Sequence, residues 1–279
     1  MGKITLKMAL GLSLLLISSC NSKVSNEALT EENYLREDSL LWETFNNETE
    51  KLGSLLESKP ESKDSIVKIY NAMLEEANRK NIALAFKYAS TPSGFARLFM
   101  TRNYIDKDTL RQVLASLPDD MQQSEVGLNI KAHLDTEQLS EGDALVPFPC
   151  VTVENAEFDW DELKGKQILL LYGGLGCMGD GGREYLKTLY RQTRREDLEI
   201  VLYWPSSSVE DLKSVKEHYV GHDYALVSDF KLDASPIRIK YGCQATPTCF
   251  LTDKNHTIVV KSEGLNIDEF EKHIKRTNE

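Results

Sequence analysis

The chain has 279 residues, with 33 lysines and arginines against 44 aspartates and glutamates, and a formal charge of -11 at pH 7. That balance argues against binding nucleic acid and against electrostatic adhesion to anionic lipid, since both need a cationic surface. The length suits two domains, and five cysteines are too few for a disulfide scaffold in a chain of this size.

At the N-terminus, Lys3 and Lys7 precede an apolar run from Met8 to Ile17 that is too short to span a bilayer as a helix. The segment reads as a targeting signal and is excluded from the fold. It ends in Ile17-Ser18-Ser19-Cys20, which resembles the lipobox of bacterial lipoproteins, where a cysteine after a small residue is diacylated and becomes the mature N-terminus. An ordinary signal peptide with a chance cysteine is the alternative. The resemblance implies removal of residues 1–19, lipid on Cys20, and export to a Gram-negative envelope with the body of the protein in the periplasm. Cleavage removes both lysines, so 31 basic residues face the same 44 acidic ones and the charge moves from -11 to -13. Membrane attachment then rests on covalent lipid rather than on charge. Cys150, Cys177, Cys243 and Cys249 remain, in a compartment where disulfides persist.

From Asn26 to Thr136 the pattern is helical: Tyr34, Leu41 and Phe45, then Ile66, Ile69, Tyr70, Met73 and Ala77, recur at helical spacing. Thr91-Pro92 reads as an N-cap with proline at the first helical position, and Leu117-Pro118-Asp119-Asp120 as a stop, a turn and a restart. An all-α domain of about five helices over residues 20–140 is predicted. His133 stands alone, no catalytic cluster is visible, and the domain reads as one for packing and for holding or selecting a partner.

After Glu141-Gly142-Asp143 the period changes. Strands are predicted over Phe148–Val153, Gln167–Tyr172, Leu198–Trp204 and Tyr224–Ser228, with helices over Arg183–Arg194 and from a capping box at Ser207-Ser208-Val209-Glu210 to about Tyr219. Thr248–Leu251 and Thr257–Val260, joined through Asp253-Lys254-Asn255-His256, read as an antiparallel hairpin, and Ile267–Lys275 as a last helix. Alternating strands and helices mean a mostly parallel sheet over residues 141–279.

Gly-Gly-Leu-Gly-Cys-Met-Gly-Asp-Gly-Gly, residues 173–182, lies where the Gln167–Tyr172 strand hands over to a helix. Gly174, Gly176 and Gly179 satisfy G-x-G-x-x-G, yet the next strand ends in Trp204-Pro205-Ser206 without the carboxylate that a dinucleotide ribose requires. The other chemistry of such a position is a helix-start cysteine whose thiolate the dipole stabilises. His218 and His222 alone do not make a zinc site. Neither metal nor cofactor is expected.

Tyr241-Gly242-Cys243-Gln244-Ala245-Thr246-Pro247-Thr248-Cys249-Phe250-Leu251-Thr252-Asp253 places a proline just before an apolar strand, at a turn suited to a cis bond. Together, Gly142–Phe148, Leu163-Lys164-Gly165-Lys166, Tyr172–Glu184 and Ala245–Asp253 resemble the thioredoxin superfamily, most closely its membrane-anchored TlpA/ResA-type thiol-disulfide oxidoreductases. The resemblance spans residues 142–279. It implies an α/β, thioredoxin-like C-terminal domain preceded by the all-α helical domain. It carries Cys177 onto the nucleophilic cysteine, Pro247 onto the cis-proline, and the backbone of Thr246 onto the edge that pairs with an extended substrate peptide. The partners implied are protein thiols or disulfides of the envelope.

This chain departs from that pattern at three points. Asp180 stands where the resolving cysteine of Cys-x-x-Cys would be, Gly176 replaces the tryptophan before the nucleophile, and Gln167–Tyr172 contains no acid to relay protons. Asp180 opposes a thiolate by like charge, although a first helical turn favours an acid with or without catalysis. A peroxiredoxin needs a threonine three residues before its cysteine, and here that residue is Gly174. Cys243 and Cys249 suit small core positions, with Cys243 also an accessory resolver candidate. The expected function is a lipid-anchored thiol-disulfide oxidoreductase working through the single cysteine Cys177. The alternative is a redox-inactive thioredoxin-fold module that binds peptides at Thr246-Pro247.

Overall fold

The structure, a computed structural model, describes residues 28–219 and 224–275. The segment 1–19 expected to be a signal, Cys20, Gly221 and His222 lie outside the described residues. Among the described residues no helix is long and apolar enough to cross a membrane.

Helices dominate residues 31–135. The first two are long, α1 (Glu31–Ser58) and α2 (Lys63–Lys87), and four shorter ones follow: α3 (Pro92–Met100), α4 (Lys107–Ser116), α5 (Asp119–Gln122) and α6 (Glu125–Asp135). Thr30 caps α1 by accepting from the Asn33 N–H at 3.2 Å, with Glu31 and Glu32 complementing the dipole in the first turn. Lys87, at the end of α2, donates to Glu37, near the start of α1, at 2.7 Å, so the pair runs antiparallel. Arg97 clamps α3 onto α1 through both oxygens of Asp38 at 3.0 Å and the Tyr34 hydroxyl at 3.0 Å. Thr91 does cap α3, with Pro92 at its first position, and α4 stops at Ser116 before Pro118 opens α5.

A six-stranded sheet fills the rest: β1 (Val151–Thr152), β2 (Gln167–Tyr172), β3 (Leu198–Tyr203), β4 (Ala225–Ser228), β5 (Thr248–Thr252) and β6 (Ile258–Glu263), in the order β1-β4-β3-β2-β5-β6. The central β4-β3-β2 trio is parallel, while β1, β5 and β6 are antiparallel to their neighbours. Four further helices join them: α7 (Gly179–Gln192), α8 (Val209–Tyr219), α9 (Pro236–Ile239) and α10 (Ile267–Phe270).

Both faces of the sheet are covered, which is why β2 reads as an unbroken apolar run. Ile168, Leu170, Tyr172, Val201, Tyr203 and Phe250 enter one core, and Leu169, Leu171, Ile200, Leu202, Cys249 and Leu251 enter the other. A third core, built on Phe95, Leu98, Leu110 and Ile130, belongs to the helices but takes in Ile239 of α9, so the two halves pack against each other.

Several boundaries differ from expectation. The Phe148–Val153 strand shrinks to two residues because Phe148 turns into the core, where its ring meets Trp160 at 5.4 Å and Tyr241 at 5.7 Å. The last helix is a single turn, Ile267–Phe270. The capping box sits one residue later than expected: Ser208 Oγ accepts from the Asp211 N–H at 3.2 Å, and the Asp211 carboxylate accepts from the Ser207 N–H at 3.3 Å. Helix α7 begins at Gly179, four residues before the expected Arg183. Gly182 lies inside it because a Cβ there would come within 2.8 Å of the Met178 Cβ.

Candidate functional site

At the end of β2 the Gly173 N–H still donates to Tyr203 O at 2.8 Å, and then Gly173 (φ +57) and Gly174 (φ +88) turn the chain out of the sheet through left-handed conformations. The Gly174 carbonyl accepts from the N–H groups of Cys177 at 2.9 Å and Met178 at 3.0 Å, closing a compact turn. Leu175 anchors that turn in the core while Cys177 faces solvent.

Cys177 stands at the start of the helix without belonging to it: it sits in the turn two residues ahead of α7, whose first residue, Gly179, has φ +66. The reason is local: a left-handed glycine allows a bend that a residue with a Cβ resists.

The second segment meets the first as expected. Thr246-Pro247 is a cis peptide. The Cys177 Sγ lies 3.8 Å from Thr246 Oγ1, a hydroxyl placed to donate to a thiolate. Pro247 is buried, and its ring packs so closely over Gly174 that a Cβ there would fall 2.5 Å from the Pro247 Cβ and 2.6 Å from its N. Gly174 thus exists for this apposition, and the proline fills the space above the turn that a pyrophosphate would need. Thr246 is exposed, and among the described residues neither its N–H nor its carbonyl has a backbone partner.

Asp180 is fully exposed and pairs with Arg183 one turn along α7. Arg183 also donates to Leu175 O at 2.8 Å, tying the helix to the cysteine turn. The like-charge opposition expected from Asp180 is met by this guanidinium, a residue the sequence reading passed over although its spacing from Asp180 signals an ion pair. Beside the turn, Trp204 and Tyr219 stack at 5.8 Å, and the Tyr219 hydroxyl is the nearest side-chain atom to the bare face of Gly176. An aromatic wall therefore stands next to the glycine that replaces the expected tryptophan.

The remaining thiols are not part of this surface. Cys243 is fully buried, its N–H donating to Ile237 O at 3.1 Å, and burial pushes its thiol up to about 12. It occupies a core position, the first of the two roles expected of it, and a resolver role would require its sulfur to leave that core. Burial likewise pushes Cys150 up to about 12 and raises Cys249. His218 packs its ring on Tyr219 at 5.3 Å.

No family model and no curated protein matches the chain. Solved structures do. The thioredoxin domain of a thiol-disulfide oxidoreductase from Bacteroides vulgatus is 21% identical over 50% of this chain and 100% of its own, at a TM-score of 0.43. A thiol-disulfide oxidoreductase from Bacteroides fragilis is 11% identical over 48% of this chain and 96% of its own, at 0.40. A thiol peroxidase from Chromobacterium violaceum is 14% identical over 49% of this chain and 86% of its own, at 0.40. Strand order, the antiparallel β5-β6 pair and the cis-proline facing a cysteine turn are this chain's own features, and they make its C-terminal half an α/β, thioredoxin-like domain preceded by an all-α helical region.

Proposed function

We propose that the chain is a thiol-disulfide oxidoreductase that acts on protein thiols or disulfides through Cys177 alone. The observation that carries this reading is the exposed Cys177 sulfur 3.8 Å from the Thr246 hydroxyl, beside a backbone edge at Thr246 that is open to an extended peptide. In the step proposed, the Cys177 thiolate attacks one sulfur of a substrate disulfide. A mixed disulfide forms, and the other substrate sulfur leaves as a thiolate. When a different thiol of the same substrate attacks the substrate sulfur of the mixed disulfide, Cys177 is regenerated and the net change is a rearranged disulfide with no electrons gained or lost, whereas attack by the departed thiolate only restores the original bond. Net reduction instead requires two external thiols, which become one disulfide. A single-cysteine site whose three companion thiols among the described residues are buried suits the first course.

In the same reading residues 1–19 are a cleaved signal, Cys20 carries lipid, the helical region over 20–140 selects the partner, and residues 141–279 work in the cell envelope on proteins there. The lipobox resemblance and the acidic charge support this placement. A second reading, a redox-inactive module that binds extended peptides at Thr246-Pro247, draws support from the absence of a second exposed thiol among the described residues.

Trapping separates the two. Envelope fractions from cells producing wild type or Cys177→Ser, quenched in acid and alkylated, are compared by mass spectrometry for mixed disulfides. Adducts at Cys177 that vanish in the variant support exchange. Equal traces from both proteins sink it and leave the peptide-binding reading.

A further inference from the structure

Between the helices and the sheet lies a cavity of ≈ 440 Å³ whose lining includes Arg102, Lys107, His133, Lys261 and, among acids, Glu263. Its volume is within the range of small-molecule sites. Arg102, which follows α3, is fully buried, and all three of its hydrogen bonds go to carbonyls: Phe99 O at 2.8 Å, Arg238 O at 2.6 Å and Cys243 O at 3.1 Å. Its Nε has no partner. Lys107 donates to Thr136 O at 2.6 Å and Lys261 to Leu139 O at 2.7 Å. Among the described residues none of these three cations forms an ion pair. Glu263 is exposed and accepts from the Tyr104 hydroxyl, so it stands at the solvent side.

A buried guanidinium without a counter-charge is costly, the two half-buried ammonium groups beside it add to that cost, and an anion among them would offset it. The neighbouring groups show the same excess of positive charge. His133, 2% exposed, has an unpartnered Nδ1. Burial first, then Arg102 and Lys107, hold its imidazole down to about 4. Burial and then Arg238 push the Arg102 guanidinium down to about 9, and burial lowers Lys261. Arg238, whose guanidinium also lies near the Phe99 ring at 5.3 Å, has Asp233 at 3.0 Å, whereas Arg102, 4.1 Å from the same ring, forms no ion pair among the described residues.

We propose that this cavity is a binding site for a small oxyanion, a phosphate or a dicarboxylate, held by Arg102, Lys107 and Lys261. The guanidinium lines the space as its buried cation, and the two ammonium groups add charge, one from the helical half and one from β6. Thr248 and Gly242 also line the space, so an occupant touches the start of β5 just behind the cis-proline. The site makes no use of Cys177 and stands or falls apart from the redox reading.

Isothermal titration calorimetry on the full chain tests it, with inorganic phosphate in one arm and succinate in the other, at ionic strength matched with chloride. The result expected is saturable one-site binding in at least one arm with Kd below about 1 mM, weakened about tenfold or more in both Lys107→Gln and Lys261→Gln. Both lysines are partly exposed, and circular dichroism matching wild type establishes that the variants fold. The arm that saturates names the anion class. No saturable heat in either arm up to about 10 mM, or variants that bind as wild type does, overturns the proposal.

Discussion

Replacing Gly174 by alanine tests whether the turn and the cis-proline loop are held together by close contact. The new Cβ would lie 2.5 Å from Pro247 Cβ, 2.6 Å from its N and 2.7 Å from its Cα, whereas carbon atoms rest about 3.5–4.0 Å apart. The turn and a rigid ring must therefore separate by about 1 Å. Overpacking of this kind costs roughly 1–3 kcal/mol, and the φ of +88 adds about 1 kcal/mol for a residue with a Cβ. Gly179→Ala is the internal control: its φ is +66 but nothing lies within 4 Å of the added carbon, so it carries the backbone cost alone. Both variants gain similarly from a stiffer unfolded chain, which cancels in the comparison. Urea unfolding at equal m-values should place Gly174→Ala about 1–3 kcal/mol below Gly179→Ala. A difference within about 0.5 kcal/mol would refute the close-contact argument. The separation should also move Thr246 from the sulfur, so Gly174→Ala should lose mixed disulfides while Gly179→Ala keeps them.

Further expectations follow from the thiols and from His133. A water-soluble thiol reagent at pH 8 should label Cys177 in native protein and reach Cys150, Cys243 and Cys249 only on unfolding; native-state labelling of Cys243 would revive it as a resolver. Thr246→Val deletes the hydroxyl 3.8 Å from Sγ and should slow attack on a model disulfide by about 2–10-fold, a modest effect because the site is exposed; an unchanged rate removes Thr246 from the mechanism. His133 is held at about 4 in the fold against about 6.5 unfolded. The unfolded chain therefore binds a proton that the fold refuses, and stability falls as pH drops through that window, by about 2 kcal/mol between pH 7.5 and 5. His133→Gln should lack this part of the acid limb, and identical limbs in both proteins would show that His133 does not drive it.

Much of the sheet was legible because its signals are local. The unbroken apolar run Gln167–Tyr172 is the observed strand, Thr91-Pro92 caps as read, and the Thr246-Pro247 turn meets the cysteine segment. The misreadings concern residues whose roles are set across space. Phe148 looked like strand but is claimed by aromatic neighbours far along the chain. The glycines of 173–182 read as a formal G-x-G-x-x-G match at a strand-to-helix turn, while Gly174 serves a proline 73 positions later and Gly179, at φ +66, opens α7 behind the cysteine. Nothing near Arg102 announces a buried guanidinium, since its acceptors are carbonyls, which every residue has.

Those acceptors bear on how the molecule comes to be assembled. Two of the carbonyls that complete Arg102 belong to Arg238 and Cys243, 136 and 141 residues downstream, so they are synthesised long after the helices that present the guanidinium. During synthesis the helical half carries this donor group open to water until residues 238–243 follow, and the core built on Phe95, Leu98, Leu110 and Ile130 lacks Ile239 until then. The docking of the two halves thus withdraws a charge from solvent. A chain cut near residue 140 would leave Arg102 hydrated and the 238–243 carbonyls bare, stopping at the stage just before that event.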